Sequence, residues 1–265
     1  MPVKFSIITV TLNSERYLQE CLDSVLGQDL TDLEYILIDG GSVDGTLAII
    51  EDAAKADPRV RWISEPDRGI SDAFNKGLAL AGGEIIGIIN SDDSYAPGAL
   101  SAVAGARRNH PECDVFHGDM LRFNRDTRLF RVVPGPVDGS IWHEMPLNHP
   151  ATFVTRRAYA TVGGFDTSLR LAMDYDLVLR LYLAGFRFHY IPEILANMRY
   201  GGASDDRFVG ARAEVVHITT RAGYSPLKAR LWFAWSVAKG ILKNLLRRTG
   251  LKDLLRLHPR FKQAG

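Results

Sequence analysis

The sequence is poor in cysteine. Its 265 residues hold two, Cys21 and Cys113, too few and too far apart for a disulfide framework or a zinc motif. No stretch approaches the roughly 18 apolar residues that a membrane-spanning helix needs. The first residues run straight into the short apolar stretch Phe5 to Val10, without the longer apolar core and small-residue cleavage site of a signal peptide. A chain made and kept in the reducing cytoplasm is the expectation. There is no internal repeat and no low-complexity segment. The first apolar run is not followed by Gly-x-Gly-x-x-Gly, which disfavours a dinucleotide- or methyl-donor-binding fold.

What is present is an ordinary globular composition, 46% hydrophobic and 24% charged, which excludes disordered and collagen-like chains. A chain of this length hides about three quarters of its unfolded surface on folding, enough for a large core. The net charge of +1 conceals an asymmetry, because ten Lys/Arg face one acid, Asp253, from Pro226 onward, leaving a net −8 on residues 1–225. The acidic body would repel phosphate, so nucleic acid is not an expected partner.

Over the first hundred residues short β-branched runs alternate with amphipathic stretches, the pattern of βα units around a parallel sheet. Strands are expected at Val3 to Val10, Leu33 to Ile38, Val60 to Ile63 and Glu84 to Ile89. Helices are expected at Ser14 to Gln28, Thr46 to Ala56 and Ile70 to Ala81. Runs such as Ile85-Ile-Gly-Ile-Ile lack polar alternation because helices cover a parallel strand on both faces. After Pro97 the pattern predicts a helix over Gly98 to Arg108, strands over Val115 to Phe123 and Leu129 to Val133, a helix over Asp174 to Ala184, and a strand over Phe186 to Ile191. The fold class is therefore α/β. Residues 1–225 read as one domain whose pattern changes after about residue 96, and 226–265 as a tail. In that tail Leu227, Leu231, Trp235, Ala238, Leu242 and Leu245 recur every three or four residues on an otherwise basic helix. Such a stripe either packs on the domain or lies on an anionic membrane surface.

In an open parallel sheet, ligands sit beyond the carboxyl ends of the strands. Three such ends carry polar side chains suited to a phosphorylated nucleotide: Thr9-Val-Thr-Leu-Asn-Ser-Glu, Asp39-Gly-Gly-Ser-Val-Asp-Gly-Thr and Asn90-Ser-Asp-Asp. At the second, Asp39 can accept from the imide N–H of a uracil-type base or cap the following turn. Ser42, Asp44 and Thr46 read as residues that shape that turn and cap the next helix. At the third, Asp92 and Asp93 would repel each other without a cation or donors nearby, and hard divalent cations are held by one or two carboxylates plus substrate phosphates. Capping of the helix after Pro97 is the plainer role for these residues.

The ordered set Phe5-Ser-Ile-Ile-Thr-Val-Thr-Leu-Asn, Ile38-Asp-Gly-Gly-Ser-Val-Asp-Gly-Thr, Ser64-Glu-Pro-Asp-Arg-Gly-Ile-Ser-Asp-Ala-Phe-Asn-Lys-Gly and Asn90-Ser-Asp-Asp resembles the family 2 glycosyltransferases of the GT-A fold, over about residues 3 to 220. Met173-Asp-Tyr-Asp-Leu follows where that family places its acceptor-side acid. The resemblance implies a mixed, mostly parallel sheet flanked by helices, with a nucleotide-binding half at about 1–96 and an acceptor-side half at about 97–225. It implies an inverting transfer of a sugar from a nucleoside-diphosphate donor, with a uracil base, to a saccharide or lipid-linked hydroxyl. Bacterial polysaccharide or lipopolysaccharide assembly on the inner membrane face is the implied setting, with the basic tail a possible membrane contact.

Residue by residue, the resemblance places Thr9, Thr11, Glu15 and Asp39 beside base and ribose, and Asp67 and Gly69 at the ribose and pyrophosphate. Asp92 and Asp93 stand at a Mg²⁺ or Mn²⁺ ion, Asn90 occupying a position where many relatives carry Asp, so the ligand role stays open between the two acids. Asp174 is the implied general base, removing the acceptor proton; its alternative is an N-terminal helix acid favoured by the helix dipole. Asp176 lies about 200° around the helix from it, a solvent or salt-bridge residue. His149 stands on the acceptor side. Trp142, Arg199 and Arg207 are further candidates for sugar or diphosphate. Two rivals are a sugar nucleotidyltransferase, disfavoured because Thr9 to Glu15 holds neither glycine nor lysine, and a catalytically silent sugar-nucleotide or membrane-binding module.

Overall fold

Four short apolar runs build the centre of the molecule as parallel strands. They are β1 (Phe5–Thr11), β2 (Leu33–Asp39), β3 (Val60–Ser64) and β4 (Ile85–Ile88). The computed structural model describes residues 4–123, 129–199, 208–248 and 261–263. Helices α1 (Leu18–Leu26), α2 (Thr46–Ala56) and α3 (Ile70–Leu80) connect those strands. β1 lies between β2 and β4, and β3 flanks β2, all parallel. Thr11 pairs with Asp39 and Asp39 with Ser64, so the three strand ends share one edge. α1 begins four residues later than the periodicity predicts, because Ser14 to Tyr17 wind as a turn in which the Ser14 carbonyl accepts from the Tyr17 and Leu18 amides.

Beyond β4 the sheet turns mixed. β5 (Ser94–Tyr95), α4 (Ala99–Asn109), β6 (Val115–Phe123) and β7 (Leu129–Val132) follow, then β8 (Thr152–Thr155), α5 (Arg156–Val162), α6 (Met173–Leu183) and β9 (Phe188–Arg199). The chain continues through α7 (Phe208–Arg221), α8 (Pro226–Arg248) and β10 (Phe261–Gln263). The strand order is β10-β7-β6-β8-β4-β1-β2-β3, with β9 pairing both β5 and β6. β8 is antiparallel to β4 and to β6. The sheet is thus mixed, parallel through its first four strands, with helices on both faces. β5, β10, α5 and α7 have no counterpart among the expected elements.

Alternation along the strands sends Phe5, Ile7, Leu37, Phe116 and Phe153 into one core with α1 and α4. Ile8, Ile36, Ile38, Ile86, Val115 and Val154 enter a second core with α3, α5 and α6. Among the described side chains of α8, Ala229 and Ser236 are buried, and Trp232 stacks on His143 at 5.7 Å between ring centroids. The stripe of Leu227, Leu231 and Trp235 points the other way, exposed at 68%, 63% and 60%. That outward face differs from the simple packing role open to the sequence; the side chains of Leu242 and Leu245, like Arg207, lie outside the described residues.

Candidate active site

The parallel strand ends form a preassembled polar edge. Asp39 closes β2 fully buried and accepts from five donors. They are Thr11 Oγ1 at 3.0 Å, the Gly41 and Ser42 amides at 2.9 Å each, Ser42 Oγ at 2.5 Å and Ser64 Oγ at 2.8 Å. Burial alone would raise its carboxyl; the Ser42, Ser64 and Thr11 donors overturn that and hold it below the ordinary value. Thr11 thus stands beside Asp39 at the edge. Thr9 does not: on the same strand face but two residues short of the strand end, it lies in the core, where its hydroxyl accepts from Tyr35 Oη at 3.0 Å. The Glu15 carboxylate accepts from the Gly45 amide at 2.7 Å, joining the loops after β1 and β2. Asp44 accepts from the Thr46 amide at 3.0 Å, the turn-forming role expected of both residues.

The loop before α3 turns on Asp67, whose Oδ1 accepts from the Gly69 amide at 2.8 Å. Gly69 has φ +119°, and a Cβ there would come within 2.4 Å of Arg170 Nη1. Only glycine combines that backbone with so close an approach. α3 opens at this loop and leaves free N–H groups facing it. Asn75, a poor helix former inside α3, donates to the Phe165 carbonyl at 2.8 Å and accepts from the Phe165 amide at 2.7 Å. The Gly163-Gly164 turn permits this pairing, since a Cβ on Gly164 would meet Asn75 Oδ1 at 2.2 Å.

After β4, the two adjacent acids part company. Asp93 turns inward, 3% exposed. It accepts from the Arg199 amide at 3.1 Å and Asn90 Nδ2 at 3.4 Å. Burial and then the neighbouring Asp92 push its carboxyl up to about 7. Asp92 is half-buried, and Ser91 is tied to Ser14 at 2.8 Å between hydroxyl oxygens. The Asn90 side-chain oxygen is buried without a partner. Among the described residues no three His, Cys, Asp or Glu gather as a metal-holding group. A half-buried carboxylate with a spare amide oxygen two residues away nevertheless fits a cation that takes most of its ligands from phosphate and water.

α6, from the second half of the chain, is tied to the loop before α3. Asp174 sits half-buried in the first turn, and its Oδ1 accepts from the Tyr175 amide at 2.8 Å. Arg170, just upstream, donates from Nη1 to the Arg68 carbonyl at 2.7 Å, tying the start of α6 to the loop of Asp67 and Gly69. His149 lies between the two elements, its ring 5.9 Å from that of Phe74 on α3. Burial lowers its pKa while the charge of Asp174 opposes that shift, which places the two side chains in one electrostatic neighbourhood. Asp176, one of whose expected roles was contact with solvent, is instead 2% exposed and clamped by Arg180 Nε at 2.8 Å and Arg221 Nη2 at 2.7 Å.

Arg199 is engaged by partners within the protein. Its guanidinium stacks over Tyr17 at 4.1 Å and Phe123 at 4.6 Å and pairs with Glu20 at 2.7 Å. Trp142 stacks on Tyr224 at 5.1 Å. Two residues with no sequence signal stand out here, Arg170 and Glu214. The Glu214 carboxylate accepts from the amides of residues 170 to 172, an interaction between positions more than forty residues apart.

Comparisons with known proteins agree with this geometry. The family described as Glycosyl transferase family 2 matches residues 6–169. Chondroitin synthase of Escherichia coli is 31% identical over 197 residues, 72% of this chain but only 28% of that protein. A PGL/p-HBAD biosynthesis glycosyltransferase of Mycobacterium bovis is 33% identical over 206 residues, 76% of this chain and 79% of the relative. Among solved structures, S. aureus TarS 1–349 in complex with UDP-GlcNAc has a TM-score of 0.64 at 21% identity, covering 95% of this chain and 75% of that one. The mannosyltransferase PcManGT from Pyrobaculum calidifontis, in complex with GDP-Man and Mn²⁺, has a TM-score of 0.64 at 20% identity, with 98% and 82% covered. With well over half of its length matched and its strand-end motifs in the order the fold requires, the chain belongs to glycosyl transferase family 2.

Proposed function

We propose that this glycosyltransferase is inverting and metal-dependent, and that it moves a sugar from a uridine-diphosphate donor to a hydroxyl of a saccharide or lipid-linked acceptor in bacterial surface-polysaccharide assembly. The observation that carries the reading is the tie between the strand-end edge and the start of α6, made by Arg170 on the Arg68 carbonyl and by His149 between Phe74 and Asp174. Residues 1–225 carry the reaction. Thr11, Glu15 and Asp39 shape the base and ribose seat, with Ser42 and Ser64 able to yield an acceptor site on Asp39. Asp67 and Gly69 border the ribose and pyrophosphate, ahead of the free N–H groups of α3, which favour anions. Thr9 supports that seat from within the core.

Asp92, the more exposed of the acidic pair, is the residue that would hold Mg²⁺ or Mn²⁺; Asp93 would brace it from behind. When bound, such an ion supplies Lewis-acid relief of the charge gathering on the departing diphosphate. Asp174 takes the proton of the acceptor hydroxyl as that oxygen attacks the anomeric carbon from the side opposite the diphosphate. His149, kept neutral by burial, hydrogen-bonds the acceptor beside it. The decisive experiment measures nucleoside-diphosphate release from a panel of sugar nucleotides with Mn²⁺, Mg²⁺ or EDTA. Release should require a divalent ion and favour UDP-linked sugars; release insensitive to chelation rejects the metal role.

The outward stripe of Leu227, Leu231 and Trp235, beside Lys228 and Arg230, supports peripheral attachment of a cytoplasmic enzyme to an anionic inner membrane face. Cosedimentation with phosphatidylglycerol vesicles, absent with phosphatidylcholine alone and weakened by Trp235→Ser, is the expected outcome; equal binding to both lipids rejects it.

A further inference from the structure

α6 opens without a capping side chain of its own, for Ala172 stands at its N-cap. The segment that leads into it carries three consecutive backbone amides, those of residues 170 to 172, which need partners, and these come from another helix. From α7 the Glu214 carboxylate accepts from the Arg170 amide at 3.0 Å through Oε1. Through Oε2 it accepts from the Leu171 amide at 2.9 Å and the Ala172 amide at 2.8 Å. A negative charge at this end also meets the positive pole of the α6 dipole. Asp174 is the second residue beyond this three-point grip.

The same helix holds the segment at both its ends. Arg221 donates to Asp166 at 2.7 Å and to Asp176 at 2.7 Å, so residues 166 to 176 are braced by α7 on either side of Asp174. The backbone that Glu214 holds also carries Arg170, whose guanidinium contacts the Arg68 carbonyl. One carboxylate therefore fixes both the origin of the Asp174 side chain and the bridge from α6 to the donor loop. α7 lies wholly beyond the residues that the family match covers.

We infer that Glu214 is a positioning residue for transfer, holding the 170–172 backbone so that the Asp174 carboxylate meets the attacking hydroxyl in a reactive geometry. This rests on Asp174 as the general base. A displacement on the order of 1 Å at reacting atoms costs about 100-fold in rate, so loss of the grip should appear in turnover and leave binding alone.

The test compares Glu214→Ala, Glu214→Gln, Asp174→Asn and Glu34→Ala in UDP release from the sugar nucleotide that the panel shows to be turned over fastest. Glu34 is a matched control far from the site, a carboxylate that likewise accepts from two backbone amides, Gly82 at 2.6 Å and Gly83 at 3.1 Å. For Glu214→Ala we expect kcat to fall about 30-fold or more, with donor KM and calorimetric UDP affinity within about threefold. Glu214→Gln, which keeps one acceptor oxygen, should fall in between. Glu34→Ala should lower Tm with kcat unchanged. The inference is overturned if both Glu214 variants keep wild-type kcat, if their loss lies in KM, or if Glu34→Ala loses as much kcat for the same drop in Tm. Wild-type turnover in Asp174→Asn would instead overturn the assignment of the base.

Discussion

The two halves of this enzyme reach their polar residues by different routes. In the nucleotide half, the residues at the edge come from consecutive strand ends and their following loops: Asp39 finds its donors at Thr11, Gly41, Ser42 and Ser64, the first and last of them placed by strand register. In the acceptor half, Asp174 depends on partners scattered along the chain. Glu214 lies more than forty residues away from the amides it holds, and Asn75 meets Phe165 across ninety. A site built from strand ends is fixed when the sheet forms. One built from helix termini and inserted loops must be braced by other helices, and each brace is a place where turnover can be lost while the fold survives.

That contrast breaks most visibly at Asp174. A general base contributes about 10²- to 10⁴-fold, so Asp174→Asn should lower kcat by about 1,000-fold and leave UDP affinity, read by calorimetry, near wild type. Asp92→Asn comes next. Losing a carboxylate on the metal should cost about 100-fold in turnover and weaken Mn²⁺-dependent UDP binding, since the protein supplies few of the ligands of such an ion. Equal losses of UDP affinity in both variants would erase the distinction between a donor edge and an acceptor-side base.

Asp39→Asn tests the strand-end side through stability. Hydrogen bonds to a charged group are each worth about 1.5 to 3 kcal/mol, and an amide keeps only part of the acceptor capacity. A loss of about 2 kcal/mol in urea unfolding at pH 7 is expected. Because the folded carboxyl titrates below its ordinary value, its contribution is complete above about pH 4 and disappears as pH falls through the folded pKa. The gap between variant and wild type should therefore close in acid.

How much could be read from the residues follows the same division. α2 and β6 fall where periodicity puts them, since a parallel strand is an unbroken apolar run and its helix an amphipathic one. The α/β architecture is visible for that reason, whereas the GT-A arrangement is legible only through the resemblance of the strand-end motifs to a known family. α7 is not visible, because Phe208-Val-Gly-Ala-Arg-Ala-Glu-Val-Val-His-Ile-Thr-Thr-Arg mixes glycine and β-branched residues that are poor helix formers; packing against α6 and α8 holds it. Thr9 shows the limit within the legible half. Its place near the motif is plain in the sequence, but it stands two residues short of the strand end and is covered in the core. Asp92 and Asp93 are indistinguishable as letters, and only the bend after β4 buries one of them. Glu214 gives no local signal at all, for its partners are backbone amides.

The smallest effect separates the halves by pH. His117 on β6 is 4% exposed, and its Nδ1 is buried without a partner. Burial, with a smaller contribution from the charge of His189, brings its pKa down to about 4. The unfolded chain, titrating near 6.5, then binds a proton that the folded chain refuses. Stability from this residue is complete above pH 6.5 and lost as pH falls toward 4, a different window from that of Asp39, which acts below it. The full difference corresponds to about 3 kcal/mol, although neighbouring groups share the same range and about 1 kcal/mol is the part to expect between pH 6.5 and 5. His117→Phe removes both the proton uptake and the unpartnered nitrogen. Its Tm should fall less steeply than that of wild type between pH 7 and 4.5, while Asp39→Asn should leave that slope unchanged. Parallel Tm curves for His117→Phe and wild type would show that the acceptor half carries no such acid-sensitive point.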